Sequence, residues 1–552
     1  MTIPLLSLLI GIPLLASIVL ASGKVNAFVK EISIGASLLQ VLVLAKVFIS
    51  FNSSNTNFQL VEQYQWIQFS LGSLGQFMSQ FHLGLDGLSL GLVILTVFIS
   101  LIAVWNSDSI QEKKAAYFSL ILLLNASIIG CFLSRDLLLF YIFFEFMLLP
   151  MYFLIGIWGG PRKEYASIKF FLYTLLGSLF ILIVLIALGI SYVDPYETAI
   201  ASGLIGPNQT FTLDQLRDVQ TAIGNGEFSS SHIVHSFDLS IFTDMHNCSP
   251  RTILHENSGW LLAGMSAREW SFWLLFIGFG IKLPIVPFHT WLPDAHVEAP
   301  TPVSVILAGI LLKIGAYGWL RITFPFFPKE ALAHSNILAG IGAISIIYGA
   351  FNALAMSDLK KLVAYSSVSH MGFVLLGIAS FTAEGVQGAI FQLLSHGILS
   401  ALLFLIVGVL YDRTHDRTID HFSGLAQQMP SYTIITGIAF FASLGLPGFS
   451  GFIGEFFSLM GAFNAIKASE GWAIFGGLGI ILGAGYFIWT FQKMYFGKLF
   501  KRDSTWDLYD LTTKEKISLY FLGISSLIFG IFPSFIFNLT DNWVTNYLSH
   551  LF

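Results

Sequence analysis

Long apolar stretches recur along almost the whole chain and are separated by short polar connections. About 20 apolar residues in a helix are enough to cross a hydrocarbon core of ~30 Å. The pattern therefore predicts an all-α, polytopic membrane protein with about fourteen transmembrane helices. The predicted helices cover approximately residues 3–22, 29–50, 84–105, 116–133, 136–157, 167–193, 270–290, 302–322, 335–355, 361–380, 387–410, 431–464, 472–497 and 517–540.

Two of the predicted helices contain residues that interrupt a helical backbone. Pro284 and Pro287 lie within predicted helix 7, and Gly445, Pro447 and Gly448 lie within predicted helix 12. Proline removes a backbone hydrogen bond, and an opened backbone is tolerated in a membrane only beside protein or water. Because the breaks lie five helices apart, we expect two inverted five-helix repeats, formed by predicted helices 4–8 and 9–13.

The predicted helices divide the chain into four parts. Residues 194–269 form a long polar connection that we expect to be an extracytoplasmic insertion. The predicted parts are 1–110 with helices 1–3, 111–330 with the first repeat and the insertion, 331–500 with the second repeat, and 501–552 with helix 14.

Composition and charge fit a membrane protein and predict its orientation. The chain is 55% hydrophobic and only 11% charged, with a mean hydropathy of +0.76, which excludes an ordinary soluble domain. Lysine and arginine are concentrated in the connections on one side, which we place in the cytoplasm. An even number of helices then puts both termini outside the inner (plasma) membrane. Nothing in the charge pattern indicates nucleic acid binding.

The sequence offers no cofactor site of its own. Its two cysteines, Cys131 and Cys248, lie far apart, so no iron-sulfur, zinc or covalent haem ligand set is available. His370 and His396 could be imagined as axial haem ligands, but no second matching pair exists. His370 could instead be a packing residue.

Several ionisable residues lie inside predicted helices, where a charge costs roughly 2.5–3.5 kcal/mol on insertion scales. Glu145 stands alone in an apolar helix, Lys282 lies at the first break, Lys313 is centred in predicted helix 8, and Glu455 follows the second break. Alternating acids and bases are suited to relaying protons, because burial and opposite charges shift their pKa values in opposite directions. The alternative is a set of structural ion pairs.

Histidines extend this candidate relay because imidazole titrates near neutral pH. His289 follows Lys282 by seven residues, on nearly the same helical face, and His396 lies inside predicted helix 11. Either could instead be an ordinary core residue. In the connection after predicted helix 7, Asp294, His296 and Glu298 could form a proton entry or could cap the next helix.

Three long motifs carry a family resemblance. They are Lys282–Ser304, with its Pro-Ile-Val-Pro-Phe-His-Thr-Trp-Leu-Pro-Asp-Ala-His run, then Ser357–Gly372 and Leu444–Glu455. Together they resemble the antiporter-like membrane subunits of respiratory complex I, the NADH:quinone oxidoreductase, and the related multi-subunit cation/proton antiporters. The resemblance extends over about residues 80–500.

The resemblance implies a central hydrophilic axis that carries protons. The positions of this chain that match the family's axis are Glu145, Lys282, Lys313, His396 and Glu455. A glutamate at the last position is typical of M-type members, whereas L- and N-type members usually carry lysine. The resemblance also implies neighbouring L- and N-type membrane subunits as partners, with NADH, FMN, iron-sulfur clusters and quinone bound by other subunits.

The function predicted from these observations is proton translocation coupled to electron transfer in partner subunits. Two rivals in the same class are a subunit of a Na⁺/H⁺ antiporter and a subunit of a membrane-bound hydrogenase-type complex. A rival from another class is a scaffold whose buried charges only set helix register.

Overall fold

The computed structural model of the chain describes residues 3–23, 26–206, 209 and 212–552. Every predicted transmembrane segment contains helix, so the all-α prediction is confirmed. Within the described ranges, ten helices are long and apolar enough to cross a membrane, or eleven if one bent pair is counted. The α-helices are α1 (Leu5–Ala21), α2 (Val29–Ser50), α3 (Gly87–Trp105), α4 (Lys114–Leu133), α5 (Leu137–Trp158), α6 (Lys163–Ser191), α7 (Pro195–Ala201), α8 (Leu213–Asn225), α9 (Leu239–Thr243), α10 (Ala267–Lys282), α11 (Trp291–Glu298), α12 (Thr301–Phe326), α13 (Pro328–Ala333), α14 (Ser335–Leu354), α15 (Leu359–Ala379), α16 (Ala383–Thr414), α17 (Pro430–Ser443), α18 (Ser450–Phe463), α19 (Gly471–Tyr495), α20 (Thr513–Ile531) and α21 (Ser534–Leu551).

Short strands lie between the helices, and the longest two form a hairpin between α2 and α3. This hairpin pairs in parallel with a strand of the insertion, giving the order β1-β2-β3. The strands are β1 (Gln59–Ser70), β2 (Gln76–Leu85), β3 (Val234–Ser236), β4 (Leu261–Leu262), β5 (Met265–Ser266), β6 (Phe422–Ser423) and β7 (Phe500–Lys501).

The predicted start of helix 3 at residue 84 is wrong, because β2 continues to Leu85. The helix starts after Asp86, whose carboxylate accepts a hydrogen bond from the backbone N–H of Ser89. An aspartate at this position satisfies an unpaired N–H of the first helical turn. The strand and the helix are both apolar here, so hydropathy alone merges them.

The prediction of one C-terminal helix over 517–540 is also wrong. The segment forms two helices, α20 and α21, which are bent by 64° relative to each other. Pro533 lies at the bend and has no N–H to continue the helix. In α21, Thr540 donates a hydrogen bond to the Gln387 side chain at 2.7 Å, and Asn542 donates to the Ser53 carbonyl at 2.7 Å.

Connections predicted to lie on the same side of the membrane contact each other. On the side of the insertion, the β1-β2 hairpin pairs with β3, and Glu62 of β1 accepts a hydrogen bond from the backbone N–H of Leu6 at 2.8 Å. On the opposite side, Asp108 forms ion pairs with Lys30 and Lys514. The helices therefore alternate in direction as the apolar pattern predicts.

A compact polar cluster anchors the insertion to the helix ends. Asp238 lies 2.6 Å from the His82 ring and 3.8 Å from the Arg135 guanidinium. Burial alone would raise the pKa of Asp238, but the His82 hydrogen bond and the Arg135 charge outweigh it, so this pKa lies below its ordinary value. The carboxylate therefore stays ionised and holds the insertion against the β1-β2 hairpin and α5.

Both predicted breaks are present. Helix α10 ends at Lys282, and an irregular segment with a cis Val286–Pro287 bond leads to α11. Helix α17 ends at Ser443, and α18 begins only at Ser450. Each break therefore places a charged residue, Lys282 or Glu455, beside an opened backbone.

Candidate functional site

Lys313 lies in α12 immediately after a π-helical turn, Leu307–Leu311. Such a turn shifts the backbone hydrogen-bond register, and π turns are frequent at functional sites. The fully buried Lys313 ammonium donates to the Ala308 carbonyl at 2.6 Å and lies 2.8 Å from His396 Nδ1. A Cβ added at Gly315 would lie 2.6 Å from the Phe279 carbonyl, so this glycine lets α12 approach α10.

From Lys313 the line of polar groups continues through two histidines to Glu455. The rings of His396 and His370 have centroids 5.7 Å apart. His370 Nδ1 lies 2.9 Å from the Glu455 carboxylate, and all three side chains are buried. His370 is more than a packing residue, because its ring lies between His396 and Glu455. Its place in the Ser357–Gly372 motif was the sequence signal for it.

A small cavity of about 10 Å³, roughly the room that one water molecule needs, lies between these histidines and the break before α18. Gly445, with a φ of +79°, forms part of this break, and a Cβ there would meet the Glu455 carboxylate at 2.9 Å. The break therefore admits the carboxylate close to the backbone. The residues lining the cavity are Ser366, Ser367, His370, Gln392, His396, Leu399, Ser400, Leu403, Ser443 and Gly451.

Lys282 and Glu145 form a separate pair with few direct partners. The Lys282 ammonium is buried and lies 4.9 Å from the centre of the Phe144 ring, a cation-π distance. Among the described residues, neither Lys282 Nζ nor Glu145 Oε1 has a hydrogen-bond partner. The two charges lie within electrostatic range of each other, and Glu145 is only half-buried, with the Tyr141 hydroxyl beside it.

His296 lies beside the buried line, whereas its acidic neighbours do not. The His296 ring is fully buried, stacks on Phe404 at 4.4 Å, and lies within electrostatic range of Lys313 and Lys360. Lys360 itself donates to the Ala299 carbonyl at 2.6 Å. His296 therefore lies near both Lys313 in α12 and Lys360 in α15.

Asp294 and Glu298 make ion pairs with the start of α6. Asp294 accepts from Lys169 at 2.8 Å, and Glu298 accepts from the backbone N–H of Arg162 at 2.9 Å. Neither caps α12, whose N-cap residue is Pro300 and which has no side-chain capping hydrogen bond. The interpretation of these acids as caps is therefore wrong.

His289 lies apart from the Lys313–Glu455 line. Its ring contacts Tyr348 and Tyr365 at centroid distances of 5.0 and 6.3 Å. Its Nδ1 is buried and has no hydrogen-bond partner among the described residues. The structure thus groups the predicted residues into a line from Lys313 to Glu455, a Lys282–Glu145 pair, and His289 by itself.

This fold and site define a polytopic helical membrane protein with ionisable groups lined up inside its helix bundle. The family model described as "NADH:quinone oxidoreductase/Mrp antiporter, TM" matches residues 134–192 and 239–481. The chain belongs to this family of antiporter-like membrane subunits, as its motifs predict.

Curated relatives match over nearly the full chain. The chain is 40% identical to "NADH-quinone oxidoreductase subunit M" of Rickettsia bellii (strain RML369-C), covering 94% of this chain and 92% of the relative. It is 38% identical to the protein of the same name from Rhodobacter capsulatus, covering 97% and 94%.

Two solved structures share the fold. One is a chain of respiratory complex I from Thermus thermophilus with bound NADH, at a TM-score of 0.75 and 27% identity over 99% of this chain and all of that chain. The other is a chain of the Mrp complex from Dietzia sp. DQ12-45-1b, at a TM-score of 0.77 and 20% identity over the whole of both chains. The second likeness concerns the fold alone.

Proposed function

We propose that this chain is a proton-translocating membrane subunit of an NADH:quinone oxidoreductase, and that protons move along its buried ionisable groups. The relatives named subunit M support the assignment to this complex. In the proposed route, the continuous part is formed by Lys313, His396, His370 and Glu455. Lys313 contacts His396, the rings of His396 and His370 are neighbours, and His370 contacts Glu455. Glu145 and Lys282 form the pair that controls it, because loss of their pairing drives the Lys282 proton towards Lys313.

One observation carries the proposal more than any other. The Lys313 ammonium is fully buried, has no carboxylate partner among the residues that the structure describes, and contacts a neutral carbonyl and an imidazole. An isolated ammonium is expensive in a low-dielectric interior, so a lysine there readily gives up its proton. A group that only needed to fill space would be apolar.

The remaining assignments follow from the same proposal. We place the chain in the plasma membrane with both termini outside, since basic connections mark the opposite side as cytoplasmic. We expect partner subunits to bind NADH, FMN, iron-sulfur clusters and quinone, and L- and N-type membrane subunits to lie alongside. The two inverted repeats, 111–330 and 331–500, then each contribute one broken helix.

Lys282→Ala tests the proposal. We expect the complex to assemble and NADH-driven proton movement in inside-out vesicles to fall to background. Lys282→Arg is the matched control, because arginine keeps the charge but does not release its proton. A structural role predicts rescue by arginine, whereas proton transfer predicts none. Normal proton-to-electron ratios in both variants would refute the assignment, and a requirement for Na⁺ would favour the antiporter alternative.

A further inference from the structure

The insertion ends in a small apolar hairpin whose side chains are left exposed by the rest of the chain. Strands β4 and β5 pair in antiparallel fashion around Ala263 and Gly264, both with positive φ. Two successive positive-φ residues form a tight hairpin turn with a fixed geometry. Leu261 is 67% exposed, Leu262 is 55% exposed, and Trp260 beside them is 37% exposed.

The hairpin lies against the outward face of α10. The Trp270 indole N–H donates to the Leu262 carbonyl at 2.9 Å, which fixes the hairpin beside the first turn of this helix. Trp270, Trp273, Leu274 and Ile277 are all partly exposed, and their spacing puts them on one helical face. The hairpin therefore continues an apolar lateral surface of the bundle.

The level of the hairpin along the membrane normal follows from the packing of α10 on α6. A Cβ at Gly278 would lie 2.7 Å from the Gly177 carbonyl, and Gly177 is central in α6. With a rise of 1.5 Å per residue, Ala267 lies roughly 16 Å from this mid-membrane contact. Half of a ~30 Å hydrocarbon core is about the same distance, so the hairpin lies where acyl chains meet headgroups.

Its composition suits that level. No charged residue occurs from Asn257 to Ala267, and tryptophan is enriched at membrane interfaces because its ring is apolar and its N–H is polar. We propose that Trp260, Leu261 and Leu262 form a lipid-binding hairpin, which anchors the insertion to the outer boundary of the bilayer through phospholipid acyl chains and headgroups.

A spin label at Leu261→Cys, in the intact membrane complex reconstituted into phospholipid nanodiscs, tests the proposal. The two native cysteines are buried, which limits background labelling. Ser231→Cys, exposed in the same insertion, is the matched control. We expect the label at 261 to be relaxed more by oxygen than by a water-soluble nickel chelate, and the label at 231 to show the reverse.

Two outcomes would overturn the proposal. Equal nickel accessibility at both sites would mean that the hairpin lies in water, and shielding from both reagents would mean that another protein subunit covers it. Quenching by brominated phospholipids gives a second measurement without a label. The quenched fraction of tryptophan fluorescence should fall in Trp260→Phe relative to the unchanged chain, and an identical fraction would contradict lipid contact.

Discussion

The two broken helices place their charged residues in different surroundings. At the first break, neither the buried Lys282 ammonium nor Glu145 Oε1 has a hydrogen-bond partner among the described residues. At the second break, Glu455 is hydrogen-bonded to His370 at 2.9 Å and lies beside a polar cavity. The first break thus holds a loosely paired base, and the second break holds a closely paired acid.

From this difference we infer distinct roles for the two charged sites in proton transfer. A charge with few partners depends strongly on its distant counter-charge, so a small change near Glu145 changes the balance at Lys282. The Glu455 carboxylate already has an imidazole partner, so in the proposed route a proton passes between His370 and Glu455 along their hydrogen bond. In the proposed route, the Lys282–Glu145 pair is the sensitive element and Glu455 is the acceptor.

Removing the counter-charge of the first pair should have the largest effect. Glu145→Gln deletes the negative charge that stabilises the Lys282 ammonium, so we expect NADH-driven proton translocation to fall by at least roughly tenfold, equivalent to ~1.4 kcal/mol. Glu145→Asp keeps the charge and is the control. Vesicle acidification and NADH oxidation should be measured together. Unchanged coupling in Glu145→Gln would show that the pair is only structural.

Substitution at the second pair should have a smaller effect. Glu455→Gln retains a side chain that can hydrogen-bond to His370 but cannot ionise, and we expect a loss of roughly threefold to tenfold in proton translocation. His370→Gln should produce a similar loss if its ring relays protons between His396 and Glu455. A full loss in Glu455→Gln with no loss in His370→Gln would remove His370 from the route.

The insertion is present only in the first half, and its stability should depend on pH. Burial raises the pKa of Asp194, the N-cap of α7, to about 7. The folded state therefore holds a proton that the unfolded state has lost, so the contribution of Asp194 to stability is greatest below about pH 4 and falls as pH rises towards 7. The slope is at most ~1.4 kcal/mol per pH unit.

Asp194→Asn keeps the N-cap but removes this titration. We expect the insertion to resist proteolysis better than the unchanged chain above pH 7, with little difference near pH 4. A matched control is Asp214→Asn, an exposed site in the first turn of α8. If cleavage of the unchanged chain and of Asp194→Asn depends equally on pH, Asp194 is not the source of the pH dependence.

The apolar pattern was sufficient for the helices and their breaks, because both depend on local sequence. It missed the β1-β2 hairpin, whose β1 strand is mostly exposed and mixes glutamine with aromatic residues, and it missed the bend at Pro533. The family resemblance singled out Glu145, Lys282, Lys313, His396 and Glu455. The pairing of His370 with Glu455 joins residues 85 positions apart, which only the packing of α15 against α18 brings together.

The most direct test of the central claim is the proton-to-electron ratio of the complex carrying Lys313→Arg. Arginine keeps a positive charge beside Ala308 and His396 but does not deprotonate in proteins. If Lys313 passes a proton to His396, the assembled complex will translocate fewer protons per NADH than the unchanged complex. An unaltered ratio would show that only the charge of Lys313 is needed and would contradict the proposed route.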